Sequence, residues 1–268
     1  MTPAGIRLLL SDVDGTLVTS DKVLTERALL AVRQLRDAGI IFAITSSRPP
    51  GGLALYAQPL ELTTPIAAFN GAYISTPAME VTDELSIDDD VITPLLDLIE
   101  ADGLSAWVYQ GEQWFVRDLN GPHVQREAEV VQFQPQLVTT FNDVCTRVAK
   151  IVAISDDANV IATAANAVRQ HFGDRVSATS SQSYCVDITN VQANKGAVVT
   201  YLSNLYDIPA SEIATIGDAF NDVLMFAESG VSIAMGNAVD DVKASATYVT
   251  TTNNDEGFAN AVQEFILS

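Results

Sequence analysis

Ile6-Arg7-Leu8-Leu9-Leu10-Ser11-Asp12-Val13-Asp14-Gly15-Thr16-Leu17 is the stretch on which the fold turns. An apolar run of strand length ends in two carboxylates two residues apart, followed by a glycine and a hydroxyl. Side chains at i and i+2 share one face of a strand. Two acids on a buried face repel each other and lose hydration. A hard cation removes that conflict, and the carboxyl end of a parallel strand is open to ligand. The same string also reads as a turn after a strand, because Asp and Gly dominate turns. The rest of the chain decides between the two readings.

Outward from this run, the pattern alternates strand and helix. Leu24 to Ala38 carries apolar residues at helical spacing, opens at Thr25 and stops at Gly39. Ile40 to Thr45 is continuously apolar, as a strand buried on both faces of a parallel sheet is. Ile66 to Phe69 reads as a third strand, and Asn70-Gly71 as a hairpin signal leading into Ala72 to Ser75. From about Asp83 the texture changes. A helix is expected at Ile92 to Ala101, an antiparallel hairpin from Ser105 to Tyr109 and Gln113 to Arg117, a strand at Val148 to Ile154, a helix at Asn159 to Phe172 and a strand at Ser183 to Ile188. Helix returns at Ala193 to Tyr206, followed by short strands at Ile213 to Ile216, Val231 to Met235 and Tyr248 to Thr251. The pattern predicts an α/β protein with a doubly wound, Rossmann-like parallel-sheet core, residues 1–82 and 186–268. An α+β cap, residues 83–185, is inserted after the third strand.

Hydrophobic residues make up 48% of the 268, enough for a substantial core. The formal net charge is -20, from 34 acids against 14 bases. Such a surface disfavours nucleic acid and anionic membranes, whose binding needs clustered Lys and Arg. Phosphate binding must then be local, through a metal and a few chosen donors. The stretch Met1 to Gly5 lacks a basic region followed by a long apolar core, so no signal peptide is read and a cytoplasmic location is expected. Ile6 to Leu10 is far too short to span a membrane. Cys145 and Cys185 show no CxxC spacing and read as free thiols. With His123 and His171 the only histidines, a His-based zinc centre is disfavoured.

Four strand ends form one consistent set. The first is Asp12 and Asp14. The second is Thr45-Ser46-Ser47-Arg48-Pro49, where a buried strand ends in hydroxyls and amides suited to phosphate, or in an ordinary helix cap. The third is Asn194-Lys195-Gly196. A lysine at a helix start opposes the helix dipole, so Lys195 suggests an anion nearby or stands free in solvent. The fourth is Gly217-Asp218-Ala219-Phe220-Asn221-Asp222, a second acidic strand end that would converge with Asp12 and Asp14 where the sheet order reverses. Oxygen donors from two strand ends leave Mg²⁺ the water and phosphate ligands it usually keeps.

In this order, these elements resemble the motifs of the haloacid dehalogenase-like phosphatase superfamily. Asp12-Val13-Asp14-Gly15-Thr16 is similar to its DxDGT motif, Asn194-Lys195-Gly196 to its NKG lysine and Gly217 to Asp222 to its GDxxND motif. The position of the cap, Phe69-Asn70-Gly71-Ala72, Ala234-Met235-Gly236-Asn237-Ala238 and Thr252 to Gly257 further resemble the Cof-type branch with a C2-type cap. The resemblance implies a Mg²⁺-dependent phosphatase acting on a small phosphorylated metabolite, sugar phosphates foremost. It implies Asp12 as nucleophile, Asp14 as acid and base, and Asp12, the Asp14 main-chain carbonyl and Asp218 as metal ligands. Ser46, the Ser47 and Val13 amides, Lys195 and Asn221 would hold the phosphoryl oxygens, and Asp222 would orient water or Lys195. The sequence departs from the family's usual Thr-Gly in the second motif, where Ser46-Ser47 stands, with Thr45 as another register for the hydroxyl. Trp107, His123, Arg126 and Tyr184 of the cap receive no role. A phosphomutase, or a phosphosugar-binding regulator without catalysis, are the alternatives. A dehalogenase is disfavoured because such relatives lack the second Asp.

Overall fold

The computed structural model describes residues 5–180 and 182–268, so most of the N-terminal stretch read above for a signal peptide lies outside it. The chain runs β1 (Leu8–Ser11), α1 (Glu26–Asp37), β2 (Ile41–Thr45), α2 (Pro50–Ala57), β3 (Ile66–Ala68), β4 (Tyr73–Ser75) and β5 (Val81–Glu84). It continues through α3 (Asp89–Ala101), β6 (Ser105–Gln110), β7 (Gln113–Val116), α4 (Val124–Val131), β8 (Gln136–Leu137), β9 (Val148–Ile154), α5 (Ala158–Phe172), β10 (Val176–Thr179) and β11 (Cys185–Asn190). It ends with α6 (Lys195–Tyr206), β12 (Ile213–Gly217), α7 (Val223–Glu228), β13 (Val231–Ala234), α8 (Asp240–Ala244), β14 (Tyr248–Val249) and α9 (Gly257–Ala261). Among the described residues, no helix is long and apolar enough to cross a membrane.

The first sheet has the order β14-β13-β12-β1-β2-β3-β4-β5, parallel from β14 to β3 and antiparallel beyond. The leucine run explains why it is doubly wound. Leu9 packs on one face with Ala28, Val32 and Leu35 of α1 and Phe258 of α9. Leu8 and Leu10 pack on the other with Val198 and Leu202 of α6 and Met225 of α7. A strand buried on both faces has no room for alternating polarity, hence three leucines in succession. Helix starts are fixed locally: the Thr25 hydroxyl accepts from the Ala28 amide at 3.1 Å, and the Asn194 side chain from the Ala197 amide at 3.0 Å.

The second sheet, order β10-β11-β9-β6-β7-β8, is antiparallel except for the β7–β8 pair. Its residues alternate between two fillings. Val108, Ile151, Ala153, Val186 and Ile188 pack under α3 and α5. Trp107, Tyr109, Val152 and Cys185 point the other way and join the core around Leu9 and Ile44. The cap sheet therefore lies with one face toward the carboxyl ends of β1, β2 and β12.

Three expectations need correction. The cap enters after the antiparallel pair β4 and β5, not after the third strand. Val81–Glu84 pairs in the first sheet and Cys185–Asn190 in the second, so we propose limits of 1–84 with 191–268 for the core and 85–190 for the cap. β5 is exposed along most of its length and carries no apolar periodicity, which is why the sequence pattern passed over it. Finally, Asp12 and Asp14 do not share a strand face. β1 stops at Ser11, and the chain turns so that the Leu17 and Val18 amides both bond the Val13 carbonyl, with Gly15 at φ 81°.

A tight approach between connections tests this packing. A Cβ on Gly230 would lie 2.2 Å from the Ser211 carbonyl oxygen, a backbone atom that cannot swing aside. Gly230→Ala should therefore destabilise the protein by about 1–3 kcal/mol. Urea unfolding should show a lowered midpoint at an unchanged slope; an unaltered midpoint would mean that the β12–β13 connection is more yielding than its geometry implies.

Candidate active site

The carboxyl ends of β1 and β12 bring the predicted acids together. Carboxylate oxygens of Asp12, Asp218 and Asp222 lie within 4.8 Å of one another. Lys195, the first residue of α6, is 1% exposed and inserts between two of them: Nζ donates to Asp12 Oδ1 and to Asp222 Oδ1, each at 2.6 Å. Asp222 Oδ2 accepts from the Asp218 and Ala219 amides at 2.9 Å. Both oxygens of Asp222 are thus committed to holding Lys195 and the loop. Gly217 is required there, because a Cβ would fall 2.3 Å from Asp222 Cγ. Asp218 is held by the Thr16 hydroxyl at 3.3 Å and by Asn237 Nδ2 at 3.0 Å, the latter also donating to the Gly15 carbonyl.

The buried Asp12 and Asp222 and the half-buried Asp218 face one ammonium, and desolvation together with this excess of negative charge raises the proton affinity of Asp12 and Asp218. Burial pushes the Asp12 carboxyl up, Lys195 pulls it back, and Asp222 pushes it up again. Asp218 is raised by burial and then by Asp12. Burial alone would depress Lys195, but Asp12 and Asp222 hold it above the ordinary lysine range. An all-oxygen donor set with surplus negative charge is the chemistry a hard divalent cation requires.

Asp14 stands apart from this cluster. Its carboxylate is gripped by Arg48, Nε at 2.5 Å and Nη2 at 2.7 Å, and by Lys22 Nζ at 2.6 Å. Burial would raise this carboxyl, but the Arg48 hydrogen bonds and charge, with Lys22, hold it down at about 2. The acid-and-base residue implied by the sequence is therefore ionised at rest. Arg48 and Lys22 were not expected as site residues. Arg48 had a signal in the Thr45–Pro49 string, whereas Lys22 reaches Asp14 only because the chain folds back after Val18.

Of the residues expected on the phosphate side, Ser47 and Asn221 line the opening beside these acids. The buried Ser46 hydroxyl accepts from the Arg48 amide at 3.1 Å. Thr45, the other register, is the last residue of β2, and its buried hydroxyl has no partner among the described residues. Asn221 Nδ2 donates to Asn70 Oδ1 at 3.0 Å, while its own Oδ1 is buried without a donor. Val13 is fully buried in the turn after β1. Ser47 and Asn221 line a cavity of about 120 Å³ with Asp12, Asp14 and Asp218, and the cap sheet supplies its ceiling. From that ceiling Lys150 donates to the Ser47 carbonyl at 2.9 Å, tying the cap to the loop after β2.

Residues 9–262 match the haloacid dehalogenase-like hydrolase family. The chain belongs to that family. A Bacillus subtilis 5-amino-6-(5-phospho-D-ribitylamino)uracil phosphatase is 27% identical over 274 residues, covering 96% of this chain and 97% of the relative. The crystal structure of a haloacid dehalogenase-like hydrolase from Bacteroides thetaiotaomicron superposes with a TM-score of 0.84 at 26% identity, covering 96% of this chain and 98% of that one. A subclass IIB sugar phosphatase of the superfamily shares the fold, with a TM-score of 0.85 at 19% identity over 96% of this chain and 98% of that one. The protein is a phosphatase of this family, with its Rossmann-like core and inserted cap.

The raised carboxyls make stability depend on pH with a definite sign. Asp12 and Asp218 bind protons more tightly in the folded than in the unfolded chain. Their contribution is complete below the ordinary carboxylate range and is lost as pH rises above it toward neutrality. Asp14 acts in the opposite sense, but only as pH falls toward its own depressed value. With EDTA present, urea midpoints should fall over the range above the usual carboxylate pKa, and Asp218→Asn should flatten the fall. A wild-type slope matched by the variant would remove the cluster as its cause.

Proposed function

We propose that this phosphatase is Mg²⁺-dependent and hydrolyses small phosphomonoesters, sugar phosphates foremost, through an aspartyl-phosphate on Asp12. The observation that carries the reading is the buried Lys195 held between Asp12 and Asp222 beside Asp218, at the floor of the cavity. Asp12, Asp218 and the Asp14 main-chain carbonyl would hold Mg²⁺, which when bound offsets the repulsion between a carboxylate and a phosphoryl group.

The Lys195 contact on Asp12 Oδ1 supports Oδ2 as the oxygen that bonds phosphorus while the ester oxygen leaves. Lys195, the Ser46 hydroxyl, the Ser47 and Val13 amides and Asn221 supply fixed donors to the phosphoryl oxygens, where charge develops. The bond from Asn221 Nδ2 to Asn70 Oδ1 supports a side chain held in place ahead of ligand, with its second Nδ2 hydrogen as the donor to a phosphoryl oxygen. Asp14 enters through its clamp. As the phosphoryl group draws Arg48 and Lys22 toward itself, burial raises the affinity of Asp14 for a proton, which a substrate monoanion brings. Asp14 then passes that proton to the leaving oxygen and recovers one from the water that cleaves the aspartyl-phosphate. The cap closes the cavity against bulk water during both steps.

Two measurements test this reading. Asp12→Asn should abolish phosphate release from a panel of sugar phosphates assayed with Mg²⁺, without unfolding the protein, because an amide is not a nucleophile. Turnover near wild type in a preparation free of host phosphatase would remove Asp12 from its role. Independently of activity, Mg²⁺ should raise the thermal midpoint of the wild-type protein. Asp218→Asn should lose most of that rise; an equal rise in the variant would place the metal elsewhere.

A further inference from the structure

The cap face over the cavity carries more acceptors than its own donors satisfy. Pairing of β6, β9 and β11 sets Trp107 and Asp187 opposite Val152, and alternation turns all three away from the α3–α5 side of the sheet. Asp187 is 1% exposed and lines the cavity. Its Oδ1 lies 2.6 Å from Lys150 Nζ, and its Oδ2 meets no hydrogen-bond donor among the described residues. Lys150 is spent twice, on Asp187 and on the Ser47 carbonyl, and so offers little to an incoming anion. Glu127 of α4, half-buried, lines the same cavity. Burial raises the Glu127 carboxyl, with Lys150 the main opposing influence.

An acceptor removed from water without a donor costs free energy, which a ligand bringing donors recovers. Resting on the phosphatase reading, we propose that Asp187 and Glu127 form a leaving-group subsite that takes hydrogen bonds from hydroxyl or amine groups. The subsite selects phosphomonoesters of neutral polyols or amino-polyols and rejects those with a second anionic group. A carboxylate or second phosphate would sit against two acids instead of bringing them donors. Trp107 and Tyr184 supply flat walls for the carbon face of such a group, Tyr184 being held by a stack on His123 with centroids 3.8 Å apart. Arg126, exposed at the rim with its guanidinium 6.0 Å from the Tyr184 ring centroid, is the cation against which charge rejection must be tested. At about 120 Å³ the cavity is well below the roughly 300 Å³ at which drug-sized pockets begin, so the leaving group is short.

The test is phosphate release with Mg²⁺ from matched pairs: glycerol 3-phosphate against 3-phosphoglycerate, and glucose 6-phosphate and glucosamine 6-phosphate against 6-phosphogluconate. The members without a carboxylate should have kcat/KM at least about tenfold higher. Glu127→Gln and Asp187→Asn should each narrow the ratio, mainly through KM. Glu127→Gln is a near-isosteric change at a half-buried position, and keeps the test decisive if Asp187→Asn does not fold. Equal or better rates on the carboxylate members, or a ratio indifferent to Glu127→Gln, would overturn the subsite while leaving the phosphatase reading intact. No release from any compound, p-nitrophenyl phosphate included, would overturn both.

Discussion

The contact on which the rest depends is the buried ammonium of Lys195 between Asp12 and Asp222. A buried lysine is costly to desolvate, and so is each carboxylate; together they are tolerable because each satisfies the other. The folded chain meets that condition by joining three distant pieces: the end of β1, the start of α6 and the turn after β12. The doubly wound sheet places these pieces side by side, since β1 pairs directly with β12. Asp218, beside the pair, keeps the balance negative, and the proposed cation site rests on that remaining imbalance.

A second constraint is the division of labour between two acids only two residues apart. Asp12 lies with Lys195, while Asp14 lies with Arg48 and Lys22. The turn at Gly15 separates them, and a Cβ at Gly15 would reach within 2.3 Å of Asp218 Oδ2. The glycine therefore allows the turn and also keeps the third acid close. One carboxylate is pushed up and its neighbour pulled down, a separation on which the proposed roles of nucleophile and proton carrier in a single loop depend. Arg48 and Lys150 carry this arrangement to the cap: Arg48 approaches the Val130 carbonyl at 3.5 Å, and Lys150 bonds the Ser47 carbonyl. Cap position and loop geometry are coupled through these two cations.

Much of this was legible in the sequence where local chemistry and tertiary structure agree. The leucine run, the capped helices and the acidic strand ends each announce themselves, and β9 lies where the mainly apolar stretch Val148 to Ile154, interrupted by Lys150, places it. Asp12 and Asp222 meet Lys195, with Asp218 beside them, because strand ends in a parallel sheet converge. What escaped has physical causes. β5 is an exposed edge strand and β8 is two residues long, so neither has an apolar period to read; α4 carries one in Val124, Ala128 and Val131, but it is only eight residues long and begins at a left-handed His123 with no side-chain cap to announce it. Asp12 and Asp14 were read onto one strand face because spacing alone does not reveal that the strand stops at Ser11. Asp187 and Glu127 belong to no motif in the sequence; the register of β11 against β9 is what turns Asp187 inward.

The central claim is that Asp12 forms a covalent bond to phosphorus. Acid quenching during turnover of a ³²P-labelled sugar phosphate, followed by peptide mapping, tests it most directly. The account predicts label on the peptide containing Asp12, discharged on further incubation before quenching. Label on a different residue, or none at any time point while phosphate release shows a burst, would contradict it.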